Sequence, residues 1–192
     1  MTQQNPISSS RSGDTPESLE PLVSTEWLAS RLGAPDLRVI DATVFLDPDS
    51  WEANTGRTTF LDGHIPGADF IDLIGELSDP RGDEGLPPGV HGYQLPSAED
   101  FAACIGRHGI GNESTVIAYD TSAGMWAARL WWMLRYFGHE RVAVLDGGWQ
   151  RWLTEGRPVS REIARPEPQS FTPRPQPALL ARKEQVREAL AD

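Results

Sequence analysis

The feature that most constrains this chain is the run at residues 116–137, VIAYDTSAGMWAARLWWMLRYF. Val116 to Tyr119 is an apolar stretch that reads as a buried strand. It ends in an acid, Asp120. The small residues Thr121-Ser122-Ala123-Gly124 make a turn, and Trp126, Leu130, Met133, Leu134 and Phe137 then recur at helical spacing. Strand, tight turn and helix bring backbone N–H groups and the positive end of a helix to one point. In α/β proteins that point, at the carboxyl end of a strand, is where ligands bind. Any chemistry this chain has belongs there, and Asp120 sits where a nucleophile would sit.

The flanking sequence repeats the pattern. Leu37-Arg38-Val39-Ile40-Asp41 is another strand ending in an acid. Gly63-His64-Ile65-Pro66-Gly67-Ala68 imposes a specific turn before a strand at Asp69-Phe70-Ile71-Asp72-Leu73. Arg141 to Leu145 is a strand, and Asp146-Gly147-Gly148 turns it into a helix over Trp149–Glu155, closed by Gly156. Ser24 caps a helix reaching Leu32, and Ser97 caps one reaching about Gly106. Residues 43–62 form a polar excursion containing Trp51 and Arg57, and residues 75–96 a long Gly- and Pro-bearing loop. Strands alternating with helices predict an α/β domain, with a mainly parallel central sheet and helices on both faces.

Outside this unit the character changes. Residues 1–20 are rich in Ser, Gln, Thr and Pro, and are expected to be a disordered tail. The domain is expected over 21–160. Five prolines in residues 161–178 predict a semi-rigid linker. Residues 179–192 return to a helical pattern, with Leu180, Val186 and Leu190 apolar, and read as the first helix of a second domain. The net charge of −11 argues against nucleic acid or an anionic membrane as partner. No apolar run is long enough to span a bilayer, and no signal peptide is visible. One cysteine, Cys104, excludes an internal disulfide and a cysteine-rich metal site. These features predict a soluble cytoplasmic protein.

Six segments, LVSTEWLA (22–29), RVIDA (38–42), GHIPGA (63–68), IAYD (117–120), ARLWWMLRYFGH (128–139) and VLDGGWQRWLTEGRPV (144–159), resemble the N-terminal domain of two-domain rhodaneses, the thiosulfate and 3-mercaptopyruvate sulfurtransferases. In that family a cysteine in the C-terminal domain, in a cradle loop between a strand and a helix, carries sulfane sulfur as a persulfide. The N-terminal domain has Asp at the equivalent position, as here with Asp120. The resemblance implies a rhodanese-like fold and a non-catalytic half, inactive alone, with no cofactor. Its partner would be a catalytic rhodanese domain in cis or in trans. A stand-alone binding or regulatory module without sulfur transfer is the alternative.

The residues are consistent with that implication. A sulfur-transfer loop needs a thiolate, and Asp120 supplies a fixed negative charge instead. Its expected role is to satisfy the N–H groups of the loop, as a bound anion would. An aspartyl nucleophile lacks the second acid and Mg²⁺ site that such chemistry uses. The cysteine–arginine bracket of the phosphatases that share the rhodanese fold is replaced by Asp120 and Trp126. Cys104 falls inside a helix, as a small core residue. His64 reads as a structural loop residue. His91, His108 and His139 are scattered and suggest no metal site. Arg57 and Arg81 read as solvated, and of the adjacent Trp131 and Trp132 one is free to face another domain.

Overall fold

The computed structural model describes residues 19–50, 52–86 and 90–191. Residues 1–18 of the expected tail, and Trp51, lie outside them. In chain order come strand β1 (Leu22–Val23), helix α1 (Thr25–Ala29), strands β2 (Leu37–Asp41), β3 (Val44–Leu46) and β4 (Ala53–Thr55), helix α2 (Arg57–Asp62) and strand β5 (Ala68–Phe70). A short 3₁₀ turn at Pro80–Asp83 precedes α3 (Ala98–Arg107), β6 (Thr115–Tyr119), α4 (Met125–Tyr136), β7 (Val142–Leu145), α5 (Gly148–Thr154) and α6 (Lys183–Ala189).

Five strands form one sheet in the order β1-β7-β6-β2-β5, every pairing parallel. Strand alternation sends successive side chains to opposite faces. Ile40, Val116, Ala118, Val142 and Val144 face a core built with Phe101 and Ile105 of α3 and with Trp126, Leu130, Met133 and Leu134 of α4. Val39, Ile117, Tyr119, Ala143 and Leu145 face a second core, with Leu28 of α1, Phe60 of α2, and Trp149 and Trp152 of α5. Both faces of the sheet are covered, so the strands are apolar throughout rather than alternating with polar residues.

The expected strands and helices are present, with altered ends. The helix capped by Ser24, whose hydroxyl accepts from the Trp27 N–H, ends at Ala29 rather than Leu32, and turns carry the chain on. The strand expected over residues 69–73 is Ala68–Phe70, although Ile71 and Leu73 are fully buried beyond it. The polar excursion of residues 43–62 contains an antiparallel hairpin of β3 and β4, followed by α2. Three-residue strands bearing Asn54 and Thr55 carry too little periodicity to be read from sequence.

Residues 161–178, expected as a linker, lie along the domain. The Gln169 N–H donates to Gly106 O (2.9 Å), the Arg174 N–H to Phe137 O (2.8 Å) and the Gln176 N–H to Tyr136 O (2.7 Å). Phe171 is only 6% exposed and packs against Phe101. Gly106 is required for this approach, because a Cβ there would lie 2.5 Å from the Gln169 carbonyl. Trp131 Nε1–H donates to Val142 O, whereas Trp132 Nε1–H donates to Leu179 O. Trp132 therefore receives the chain's own C-terminal segment. On α6, Val186 and the adjoining Leu190 are exposed. No helix among the described residues is long and apolar enough to cross a membrane.

Candidate functional site

Asp120 follows the last residue of β6, at the carboxyl edge of the sheet, and is 1% exposed. The loop after it folds back over its carboxylate. Oδ1 accepts from the backbone N–H groups of Ser122 (2.9 Å) and Gly124 (3.0 Å), and Oδ2 from those of Trp126 (3.0 Å) and Ala127 (2.9 Å). Two of these donors belong to the first turn of α4, where unpaired N–H groups and the helix dipole favour an anion. The cradle is an anion site, and the chain's own carboxylate fills it. Beside it lies a cavity of about 340 Å³ lined by Leu22, Ser122 to Gly124, Ala128 and Val144 to Gly148.

Neighbouring strands hold the cradle in place. The Trp149 N–H of α5 donates to Asp120 O at 3.0 Å. Gly148 makes that approach possible: its φ is +52°, and a Cβ there would lie 2.6 Å from the same carbonyl. Just after β2, the Thr43 hydroxyl donates to Asp41 Oδ1 and accepts from the Thr121 N–H at 3.1 Å. Asp41 pairs in register with Tyr119 and is 2% exposed. Burial raises the Asp41 carboxyl to about 6, against hydrogen bonds from Thr43 and Tyr119 that pull it down, with the Asp120 charge adding to the rise. Burial and the Asp41 charge push the Tyr119 hydroxyl well up, and that hydroxyl accepts from the Ile65 N–H at 3.5 Å.

The GHIPGA turn is thus tied beneath the site. His64 is fully buried and stacks on Phe60 with ring centroids 4.0 Å apart. Its Nδ1 lies 2.8 Å from Phe60 O and its Nε2 3.0 Å from Glu162 O. Both ring nitrogens face backbone carbonyls, to which the imidazole N–H donates, and the buried ring is held as a structural part of the turn. Arg57 is exposed, with its guanidinium carbon 5.9 Å from the Phe70 ring centre. Arg81 is exposed and paired with Asp79.

Cys104 is buried in the α3–α4 core, as its helical setting predicts. The histidines are less scattered than they look in sequence. His108 meets Cys104 and Glu76, and the potential ligand atoms of the three lie within 4.8 Å of one another. Cys104 and His108 stand four residues apart at the end of α3, a spacing visible in the sequence, but Glu76 lies 28 and 32 positions away and only the fold brings it to them. His139 is buried near Phe171.

A parallel five-stranded sheet with an anion cradle at the end of its central strand has close relatives. The family model for the rhodanese-like domain matches residues 24–155. The chain belongs to the rhodanese-like family. The thiosulfate sulfurtransferase of Bos taurus is 42% identical over 175 residues, which cover 88% of this chain and 55% of that protein. The 3-mercaptopyruvate sulfurtransferase of Homo sapiens is 37% identical over 182 residues, covering 92% of this chain and 58% of that one. Among solved structures, the 3-mercaptopyruvate sulfotransferase SseA of Escherichia coli superposes with a TM-score of 0.77 at 29% identity, over 91% of this chain and 63% of that one. The rhodanese-like fold, with its mainly parallel sheet covered by helices on both faces, is as the sequence predicts. The chain spans a little over half the length of the curated relatives it matches.

Proposed function

We propose that this rhodanese-like domain is the non-catalytic N-terminal half of a sulfurtransferase that draws sulfur from thiosulfate or 3-mercaptopyruvate, and that it is inactive alone. The observation that carries the reading is the filled cradle. Four backbone N–H groups converge on one anion, and that anion is Asp120 rather than a thiolate. A carboxylate cannot carry a persulfide, and its charge opposes entry of the thiosulfate dianion. The single cysteine is no substitute, being buried in α3 against α4. The relatives supply the donor chemistry: by name they act on thiosulfate or 3-mercaptopyruvate.

The physical role of this half is to complete the cleft over a catalytic rhodanese domain, in cis or in trans. The cytoplasm is the proposed compartment. The strongly acidic charge supports a partner that is neither nucleic acid nor an anionic membrane. The packing of residues 169–179 along the domain is what a stand-alone binding module would show, whereas the exposed Val186 and Leu190 fit a half that awaits a partner.

The test is thiocyanate formation from cyanide by the purified 192-residue chain, with thiosulfate and 3-mercaptopyruvate offered separately. The expected rate is background with either donor, and turnover rises when a catalytic rhodanese domain is added in trans. Turnover by the chain alone that disappears in Cys104→Ser would overturn the reading.

A further inference from the structure

The group formed by Glu76, Cys104 and His108 is separate from the Asp120 cradle, and its reading does not rest on the proposed function. The sulfur, imidazole and carboxylate donors come from two segments, the loop after β5 and the end of α3. His108 Nε2 lies 3.2 Å from Glu76 Oε2, and Cys104 Sγ lies 4.0 Å from the same oxygen. The edges of a tetrahedral zinc site measure about 3.3–3.8 Å, from Zn–N and Zn–S bonds of about 2.0–2.3 Å. All three donors lie within 4.8 Å of one another, so sharing one ion takes side-chain movements of about 1 Å.

Two outer contacts aim the donors. Asp69 Oδ2 lies 2.6 Å from His108 Nδ1, which fixes the ring and turns Nε2 toward Glu76 and Cys104. The Asp72 N–H donates to Glu76 Oε1 at 3.2 Å, leaving Oε2 to the shared point. A carboxylate behind a histidine, with the other nitrogen directed at mixed ligands, is the arrangement that orients metal-binding imidazoles. Glu76 also lines an open surface cleft of about 370 Å³ together with Arg107, and an ion would reach the group from that side. Thiolate, imidazole and carboxylate together suit a borderline-soft divalent cation.

We propose that Glu76, Cys104 and His108 form a three-ligand site for Zn²⁺, with Asp69 as a positioning residue and the fourth coordination place open to solvent.

The competing occupant is a proton. Burial lowers the His108 pKa, but hydrogen bonds with Asp69, Cys104 and Glu76 outweigh it and raise the imidazole to about 11. Without metal the group is a charged network of His108 with Asp69 and Glu76, with the exposed Arg107 guanidinium 3.7 Å from Glu76. Zn²⁺ has to displace the Nε2 proton and that of the Cys104 thiol, which leave to solvent as the ion binds.

The test is titration of the chelator-stripped 192-residue chain with Co²⁺, followed by displacement with Zn²⁺. Because Cys104 is the only cysteine, a sulfur-to-cobalt charge-transfer band in the wild-type chain reports this site without any substitution. One equivalent is expected to produce that band together with intense tetrahedral d–d absorption, and Zn²⁺ is expected to remove both. Asp69→Asn is expected to weaken Co²⁺ binding about 10–100-fold. Glu76→Gln and His108→Gln, checked for folding by circular dichroism, are expected to weaken it at least as much. Absence of the charge-transfer band in the wild-type chain overturns the proposal. So does a band whose affinity is unchanged in both Glu76→Gln and His108→Gln.

Discussion

Two buried carboxylates stand at adjacent strand ends, Asp120 among four backbone donors and Asp41 under a burial that outweighs its hydrogen bonds from Thr43 and Tyr119. Asp120 accepts four backbone N–H groups. Removing it in Asp120→Ala leaves the buried donors of Trp126 and Ala127 without a partner, at a cost of about 3 kcal/mol. The vacated cradle should then accept an external anion. Urea unfolding is expected to show that loss. Sulfate or thiosulfate should restore the variant's stability by more than it raises that of the wild type. Equal gains in both proteins would mean the loop collapses without its carboxylate. Asp41 is the other case. Its carboxyl rises from 3.8 to about 6 on folding. Below pH 3.8 it is protonated in both states, so its contribution to stability is fully present. Between those values the folded state holds a proton that the unfolded state has released, and the contribution is lost as pH rises through 6. At 1.36 kcal/mol per pH unit the loss amounts to about 3 kcal/mol. Asp41→Asn removes this dependence. The stability difference between wild type and variant is therefore expected to shift against the wild type between pH 4 and pH 7. A constant difference across that range would show that Asp41 titrates normally.

At the scale of elements, what could be read from sequence depended on whether a segment's partners lie near it in the chain. The strands ending at Asp41, Tyr119 and Leu145 are apolar on both faces, and each feeds a turn of small or acidic residues, so their burial and parallel pairing could be read directly. The anion role of Asp120 was legible for the same reason. All four donors lie within seven residues of it. The β3–β4 hairpin was not legible, because short strands with Asn54 and Thr55 lack a period of two. Residues 161–178 were misleading for a different reason. Proline removes backbone donors and masks periodicity, yet the remaining N–H groups of Gln169, Arg174 and Gln176 find carbonyls at the ends of α3 and α4. The Glu76–Cys104–His108 group was half legible: Cys104 and His108 share a helical face at a spacing of four, whereas Glu76 joins them only through the packing of the loop after β5 on α3.

At the scale of the molecule, the choice to be tested is where the rhodanese-like domain stops. Sequence composition puts the boundary at residue 160, whereas the packing of Phe171 and three interelement backbone bonds extends it to Gln176. The two boundaries make different predictions for shortened chains. Ending the chain after Arg182 removes α6, whose Val186 and adjoining Leu190 are exposed, and is expected to change stability by less than about 1 kcal/mol. Ending it after Ser160 removes Phe171 from the core. By analogy with Phe→Ala in other cores that alone costs about 3–5 kcal/mol, before the lost backbone bonds are counted. Urea unfolding of both shortened chains decides between the boundaries. Equal stability would return the boundary to residue 160 and make the following segment a tether with slack. A large loss in the shorter chain would make residues 161–176 part of the domain. The Trp132 Nε1–H bond to Leu179 O would then lie just past the end of that domain and hold the segment that leaves it.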